Sequence, residues 1–334
     1  MSINTERARA LMARFSRQKI LVVGDLMLDH YIHGHVSRIS PEAPVPVLRV
    51  ARENSVPGGA CNAAVNIRAL GGSAGVAGVV GRDGHGRALL ELLRGAGVKT
   101  DAVLQLAHVP TTVKTRIVAE RQQVVRVDWE RYTQFTARQQ SEFIRRMERS
   151  LEGVHGVIVE DYSKGVIQQP VIDALMALAR RKKIRVGLDP KDNHELRFEG
   201  LTLAKPNRKE AFAHAGVKDP GPHDDPLRDQ PLQKVADILI ERWNPEMLMI
   251  TLGPHGLLLA AQGRPTIHVP TRAREVFDLS GAGDTVIATC MLALAAGADF
   301  EMAAELANYA AGVVVSKLGT ATCTREELLN YMRV

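Results

Sequence analysis

The run Asp278-Leu279-Ser280-Gly281-Ala282-Gly283-Asp284 sets a glycine-rich turn before an acid, and an apolar stretch from Val286 to Ala296 follows. That stretch has no polar face and predicts a buried helix. A helix start carries unpaired N–H groups and partial positive charge. Gly281, Ala282 and Gly283 therefore read as an anion cradle with the Asp284 carboxylate at its edge. The pairing suits phosphoryl transfer: the cradle holds charge developing on phosphate, and the carboxylate takes the proton of an attacking hydroxyl. The same residues also suit a plain turn with a first-turn acid favoured by the helix dipole.

Other polar groups follow predicted strands. Asp25 and Asp29 come after the first, and Glu160 with Asp161, Asp189 with Lys191, and Lys205-Pro206-Asn207 come after later ones. Thr251-Leu252-Gly253-Pro254-His255-Gly256 follows another. Singly, each could be a cap or a turn. Together they mark the carboxyl edge of an open sheet, where such sheets bind ligands. Asn207 and Glu210 share one face at a helix start. They make a variant capping box, or they serve nucleotide phosphates and a hydrated Mg²⁺, an ion that keeps most of its waters. Gly58, Gly59 and Asn62 either bring backbone and an amide close to a bound polyol or simply turn the chain into a helix.

The elements that position these groups alternate. Strands are predicted at 19–25, 75–80, 156–160, 185–189, 201–204, 247–251 and 257–261. Helices are predicted at 58–70, 86–96, 136–151 and 170–181. The alternation argues for an α/β doubly wound, mostly parallel sheet. Two stretches depart from it. Tyr31 to Asn54 is rich in Val, Pro and alternating polar residues, and Thr111 to Trp129 alternates around a turn at Glu120-Arg121-Gln122. Together they predict a small β lid over the site. Gly216 to Pro231, dense in Pro and Asp, predicts a mobile surface loop.

Composition narrows the classes. With 45% hydrophobic residues in 334, the chain can bury a large core, which excludes wholesale disorder. The net charge of +6 is scattered and aromatics are 4%, so nucleic acid is not expected, and an anionic small substrate explains the basic surplus as easily. Three cysteines without CxxC spacing argue against metal clusters and disulfide frameworks. No secretory signal or membrane span is expected, and the location expected is cytoplasmic. The turn Gly24-Asp25-Leu26-Met27 lacks the glycine-rich loop of dinucleotide-binding proteins.

With these residues in view, the chain resembles the PfkB/ribokinase family of sugar kinases over nearly its full length. Gly58-Gly59-x-x-Asn62 resembles the N-terminal signature of that family. Asp278 to Asp284 resembles the C-terminal one, with Leu-Ser where many members have Thr-x. Asn207-x-x-Glu210 and Thr251-x-Gly253-x-x-Gly256 resemble its magnesium-phosphate and nucleotide-loop motifs. Within the family, Gly24 to Asp29, Val36 to Val47, Pro110 to Arg116 and Lys317 to Thr320 are similar to the bacterial D-glycero-β-D-manno-heptose-7-phosphate kinases of lipopolysaccharide precursor synthesis.

The resemblance implies one ribokinase-like kinase domain over residues 1–334, with lid strands within 31–54 and 111–129. It implies ATP-dependent phosphorylation of the anomeric hydroxyl of the heptose 7-phosphate to the 1,7-bisphosphate, for ADP-heptose. The chain ends soon after the kinase motifs, so adenylyl transfer is expected from a separate protein. Asp284 would be the base, with N–H groups of Ala282, Gly283 and Asp284 as the anion hole. Asp25, Asp29, Gly59 and Asn62 would hold sugar hydroxyls. Asn207 and Glu210 would serve Mg–ATP, with Thr251, Gly253 and Gly256 lining the nucleotide site and Asn308, on the last helix, near the adenine. Potassium is implied near Asp278 and 316–320. Lys114, Arg116, Arg82, Lys164 and Lys191 are candidates for the substrate's own phosphate, with Asp189 beside them. The lid strands imply a homodimer paired through the lid, which would also cover their edges. Two alternatives stay open: another kinase of the family acting on ribose, a nucleoside or fructose phosphate, and a non-catalytic sugar-binding regulator.

Overall fold

Apolar runs bounded by glycine turns build the chain strand by strand. The computed structural model describes residues 5–120, 122–192 and 194–333. The order is α1 (Thr5–Met12), β1 (Lys19–Gly24), β2 (Leu26–Ile39), β3 (Pro46–Gly59), α2 (Ala60–Ala69), β4 (Ser73–Gly81), α3 (Gly84–Gly95) and β5 (Lys99–Leu106). Then come β6 (Thr112–Ala119), β7 (Gln122–Trp129), α4 (Ala137–Ser150), β8 (Gly156–Glu160), α5 (Gln169–Lys182), β9 (Arg185–Asp189) and β10 (Leu203–Ala204). The chain finishes with α6 (Arg208–Ala215), α7 (Gln230–Trp243), β11 (Met247–Thr251), β12 (Leu257–Ala260), β13 (Ile267–Val269), α8 (Ala282–Ala295), α9 (Phe300–Val315) and α10 (Arg325–Arg333).

Nine strands form one sheet in the order β13-β12-β11-β10-β9-β8-β1-β4-β5. All neighbours are parallel except the pairs β11/β12 and β12/β13. One face packs on α2, α8 and α9 and the other on α4, α5 and α7. Both faces are covered, so β1, β8 and β11 are continuous apolar runs. In α8 every residue from Asp284 to Leu294 is buried. Each fully buried Leu, Ile or Met there contributes roughly 1.5–3 kcal/mol, so packing holds the helix and fixes its N-terminus.

The lid is a four-stranded sheet in the order β3-β2-β6-β7. The expected stretches do form one small sheet, but β2 and β3 are longer than their alternating polar pattern suggested. They extend to Leu26 and Gly59, because their buried inner ends continue straight out of the core. The lid is thus rooted beside Asp25 and α2.

Three readings change. β5 has no counterpart among the predicted strands, since its pattern of Lys, Thr, Asp and Gln hides an edge strand. Asn308 lies on α9, with α10 following it, so it is not on the last helix. The 216–231 loop is tied down: Arg208 donates to Asp219 at 2.8 Å, to the Gly221 carbonyl at 2.7 Å and to buried Asp229 at 2.7 Å. In the turn expected at 120–122, Glu120 has φ +56°, and Arg121 lies outside the described residues. Among the described residues, no helix is long and apolar enough to cross a membrane.

Candidate active site

The carboxyl edge of the large sheet opens into a cavity of ≈ 780 Å³. It is lined by the ends of β9 and β11, the start of α6, the start of α8 and the inner side of α9. At the start of α8, Gly281 takes a left-handed φ of +77°, and a β-carbon there would collide with the Asn62 amide. Ala282 turns its N–H onto the Leu279 carbonyl at 3.3 Å. Gly283 comes so close to the Lys205 ammonium that an added β-carbon would lie 3.4 Å from Nζ. The helix start therefore faces a cation as well as its own dipole.

Asp284 is buried and held from two sides. The Tyr162 hydroxyl donates to Oδ1 at 2.7 Å, and Asn62 Nδ2 donates to Oδ2 at 2.8 Å. Asn62 is steadied in turn by Asn66, whose Nδ2 donates to Asn62 Oδ1 at 3.1 Å. Burial pushes the Asp284 carboxyl above the usual range, and these two donors and Lys205 oppose that rise. Carboxylate oxygens of Glu160, Asp189 and Asp284 lie within 4.8 Å of one another. Glu160 is fully buried and, among the described residues, neither of its oxygens has a hydrogen-bond partner. Burial, then the charges of Asp189 and Asp284, lift its carboxyl well above the ordinary value. Burial lifts Asp189 to about 7, although Lys205 Nζ at 2.9 Å pulls the other way. Burial alone would lower the Lys205 ammonium, but Asp189 outweighs it and holds the lysine charged.

At the other wall, the capping reading of Asn207 and Glu210 is met, and the same two residues line the cavity. They form a reciprocal capping box, each side chain 2.9 Å from the other's backbone N–H. Glu210 also pairs with Lys191 at 3.3 Å. Thr251, Gly253 and Gly256 line the same wall, where φ of +57° and +85° at the two glycines shape the tight turn after β11. Asn308 lines the cavity from α9 and donates to the Pro270 carbonyl at 2.7 Å.

The remaining predicted residues lie outside this cavity's lining, toward the lid. Asp25 is buried and accepts N–H groups from Tyr162, Lys164 and Val166 at 2.9, 3.1 and 3.2 Å. Burial lifts its carboxyl to about 6 against those bonds. Asp29 pairs with Arg116 at 2.6 Å and accepts the Thr320 hydroxyl at 3.0 Å. Gly58 leaves room for that carboxylate, since a β-carbon would lie 2.5 Å from Oδ2. Gly59 enters α2 with φ +55°. Lys114 faces Asp128 at 3.7 Å and Lys164 faces Glu130 at 2.8 Å. Arg82 is exposed and donates to the Gln105 carbonyl at 3.3 Å. Asp278 accepts the N–H groups of Ser280 and Gly319, both at 2.9 Å, and bridges the two loops. Burial would raise its carboxyl, but these bonds and Arg116 hold it below the ordinary range.

Tyr162, whose hydroxyl reaches Asp284, is the cavity-lining residue that the sequence reading misses. Its signal was its position, directly after the strand-end pair Glu160-Asp161. Lys205 stands at a predicted strand end, where the sequence alone gives it no role.

The model of the pfkB family carbohydrate kinases matches residues 17–327. The chain is 41% identical over 328 residues to the Bifunctional protein HldE of Trichlorobacter lovleyi, covering 98% of this chain and 65% of that protein. To the Bifunctional protein HldE of Pseudomonas entomophila it is 43% identical over 317 residues, covering 95% and 64%. It thus spans just under two thirds of the length of these relatives. The fold is similar to that of Arabidopsis thaliana ribokinase complexed with ribose and ATP, with a TM-score of 0.72 at 19% identity over 95% of this chain and 99% of that one. It is also similar to Escherichia coli phosphofructokinase-2 in complex with potassium, with a TM-score of 0.74 at 20% identity over 95% and 98%.

Proposed function

The chain belongs to the pfkB family of carbohydrate kinases, and from that premise we propose that it transfers the γ-phosphoryl group of ATP to the anomeric hydroxyl of D-glycero-β-D-manno-heptose 7-phosphate. The observation that carries the kinase reading is Asp284, a buried carboxylate at the N-terminus of α8 that lines the cavity beside Lys205. The choice of sugar rests on the segments 24–29, 36–47 and 110–116, and on 41–43% identity to the HldE proteins across nearly the whole chain.

In this reading Asp284 takes the proton of the acceptor hydroxyl. The first-turn N–H groups of Gly283 and Asp284, with Lys205, receive the charge spread over the transferring phosphoryl group. The Ala282 N–H is already engaged, so the cradle is narrower than the sequence implied. The nucleotide lies along Asn207, Thr251, Gly253, Gly256 and Asn308. Hard carboxylate oxygens of Asp189 and Glu210 at the cavity wall fit a hydrated Mg²⁺, which would neutralise phosphate charge. An ionised Asp278 bridging two loops fits a K⁺ ion beside it. Lys114 and Lys164 are the pair assigned to the substrate's distal phosphate. They are near enough for the charge of Lys164 to help lower the Lys114 ammonium, though burial lowers it more. Lys191 falls on the nucleotide side with Glu210. A homodimer through the lid completes the reading.

The test is ADP release with Mg²⁺, K⁺ and ATP over heptose 7-phosphate, fructose 6-phosphate, ribose and adenosine. Heptose 7-phosphate alone should turn over, giving a new anomeric phosphate signal in phosphorus NMR. Asp284→Asn should lower turnover about 10²–10⁴-fold with ATP binding retained. Near-normal turnover in that variant would remove Asp284 from its role, and turnover of a different sugar would remove the heptose assignment.

A further inference from the structure

A kinase that holds a general base beside ATP faces a competing reaction. Water can take the place of the sugar hydroxyl and waste the nucleotide. Each oxygen of Asp284 already carries one hydrogen bond: Oδ1 accepts the Tyr162 hydroxyl at 2.7 Å and Oδ2 accepts the Asn62 amide at 2.8 Å. The two donors differ in kind. Asn62 is locked by Asn66 and supports the carboxylate from beneath, whereas Tyr162 reaches Asp284 with a single hydroxyl from the cavity wall. An O–H donating to Oδ1 is also what an acceptor sugar must present.

We propose that Tyr162 is a positioning residue that stands in for the acceptor hydroxyl on Asp284, and so suppresses sugar-independent ATP hydrolysis. This rests on the assignment of Asp284 as the base. The tyrosine is held where this requires. Its N–H donates to buried Asp25 at 2.9 Å, and the same carboxylate accepts the N–H groups of Lys164 and Val166. The loop after β8 therefore presents the ring to Asp284 from a fixed backbone.

In the productive step, the sugar hydroxyl oxygen bonds to the γ-phosphorus and the β–γ bridging P–O bond breaks. Its electron pair leaves on ADP and the hydroxyl proton passes to Asp284. In the wasteful step a water oxygen makes the same bond, its proton goes to the same carboxylate, and ADP and inorganic phosphate are the products. With Tyr162 in place, water must compete with a preorganised phenol for the proton-accepting position on Oδ1 of Asp284. The sugar displaces the phenol because its other hydroxyls are bound at the same time, an advantage water lacks.

The experiment compares phosphate release from Mg–ATP without sugar in wild type, Tyr162→Phe and Tyr162→Phe/Asp284→Asn, with sugar-dependent ADP release measured alongside. Loss of the hydroxyl should raise sugar-free hydrolysis about 10-fold or more, and removal of Asp284 should abolish that gain. Incorporation of 3-fluorotyrosine, which keeps a hydroxyl at 162, should leave hydrolysis low. Unchanged or reduced hydrolysis in Tyr162→Phe, or a rise that survives Asp284→Asn, would overturn the proposal, as would a rise with fluorotyrosine. A merely structural role would lower both activities together. If the wild type phosphorylates no sugar, the kinase reading fails on that arm, and the sugar-free comparison still decides the role of Tyr162.

Discussion

In the proposed reaction Asp284 acts as a base only while ionised, and its burial bears on the pH at which that holds. Its carboxyl is raised, so the ionised fraction is lost at a higher pH than for an exposed aspartate. Turnover should therefore fall with decreasing pH, starting at a higher pH than an exposed aspartate would give. Asn62→Ala removes a donor that favours the charged form, so the fall should begin at higher pH, read from kcat against pH. A shift in the opposite direction would contradict the role given to Asn62. Lys205 makes a second prediction at this scale. Removing one partner of a buried pair leaves a stranded charge, so Lys205→Met should cost about 3–5 kcal/mol in urea unfolding at pH 8. Below pH 6 the loss should shrink, because Asp189, at about 7 already in the wild type, is then protonated.

At the scale of elements, the lid leaves apolar surface uncovered. Val125, Val127 and Trp129 alternate onto one face of β7 at 45%, 40% and 63% exposure, and Val50 on β3 is 56% exposed. A lid paired with a second copy would cover them. Val125→Lys should shift the protein toward monomer by light scattering while the thermal transition of the core stays put. A wild type that is monomeric at micromolar concentration would end the pairing idea. The central elements were legible because β1, β8, β9 and β11 are continuous apolar runs ending in a polar group. The Gly-Ala-Gly-Asp turn likewise announced a helix start. What escaped was whatever depends on distant partners. β5 looks polar because it is the sheet's edge. Asp29 and Arg116 each read as ligand groups, yet they answer each other across two inserted strands. Tyr162 gave no local sign that its hydroxyl points at an acid 122 positions away.

For the molecule as a whole, the buried acids make stability depend on pH. Asp25 at about 6, Asp189 at about 7 and Glu160, raised well above its usual value, all hold protons that the unfolded chain releases near pH 4. Their contribution is fully present below that pH and is lost as pH rises through the folded values. Unfolding free energy should thus decline from pH 5 to 8. Glu160→Gln, neutral throughout, should decline less steeply over the same range and above it. An identical slope in the two proteins would show that Glu160 is not protonated in the native state.

The pairing of β2 with β6, from Met27 opposite Thr112 to Gly34 opposite Ala119, also orders events in time. These strands are parallel and some 85 positions apart, so the intervening α2, β4, α3 and β5 must be in place before they can meet. Neither ribbon, β2/β3 nor β6/β7, persists well alone as a two-stranded hairpin. The lid therefore assembles after the sheet that carries the catalytic edge. By the same reasoning β7, an edge strand of the lid exposed along its whole length, exchanges its amide hydrogens with solvent well before β1 or β8.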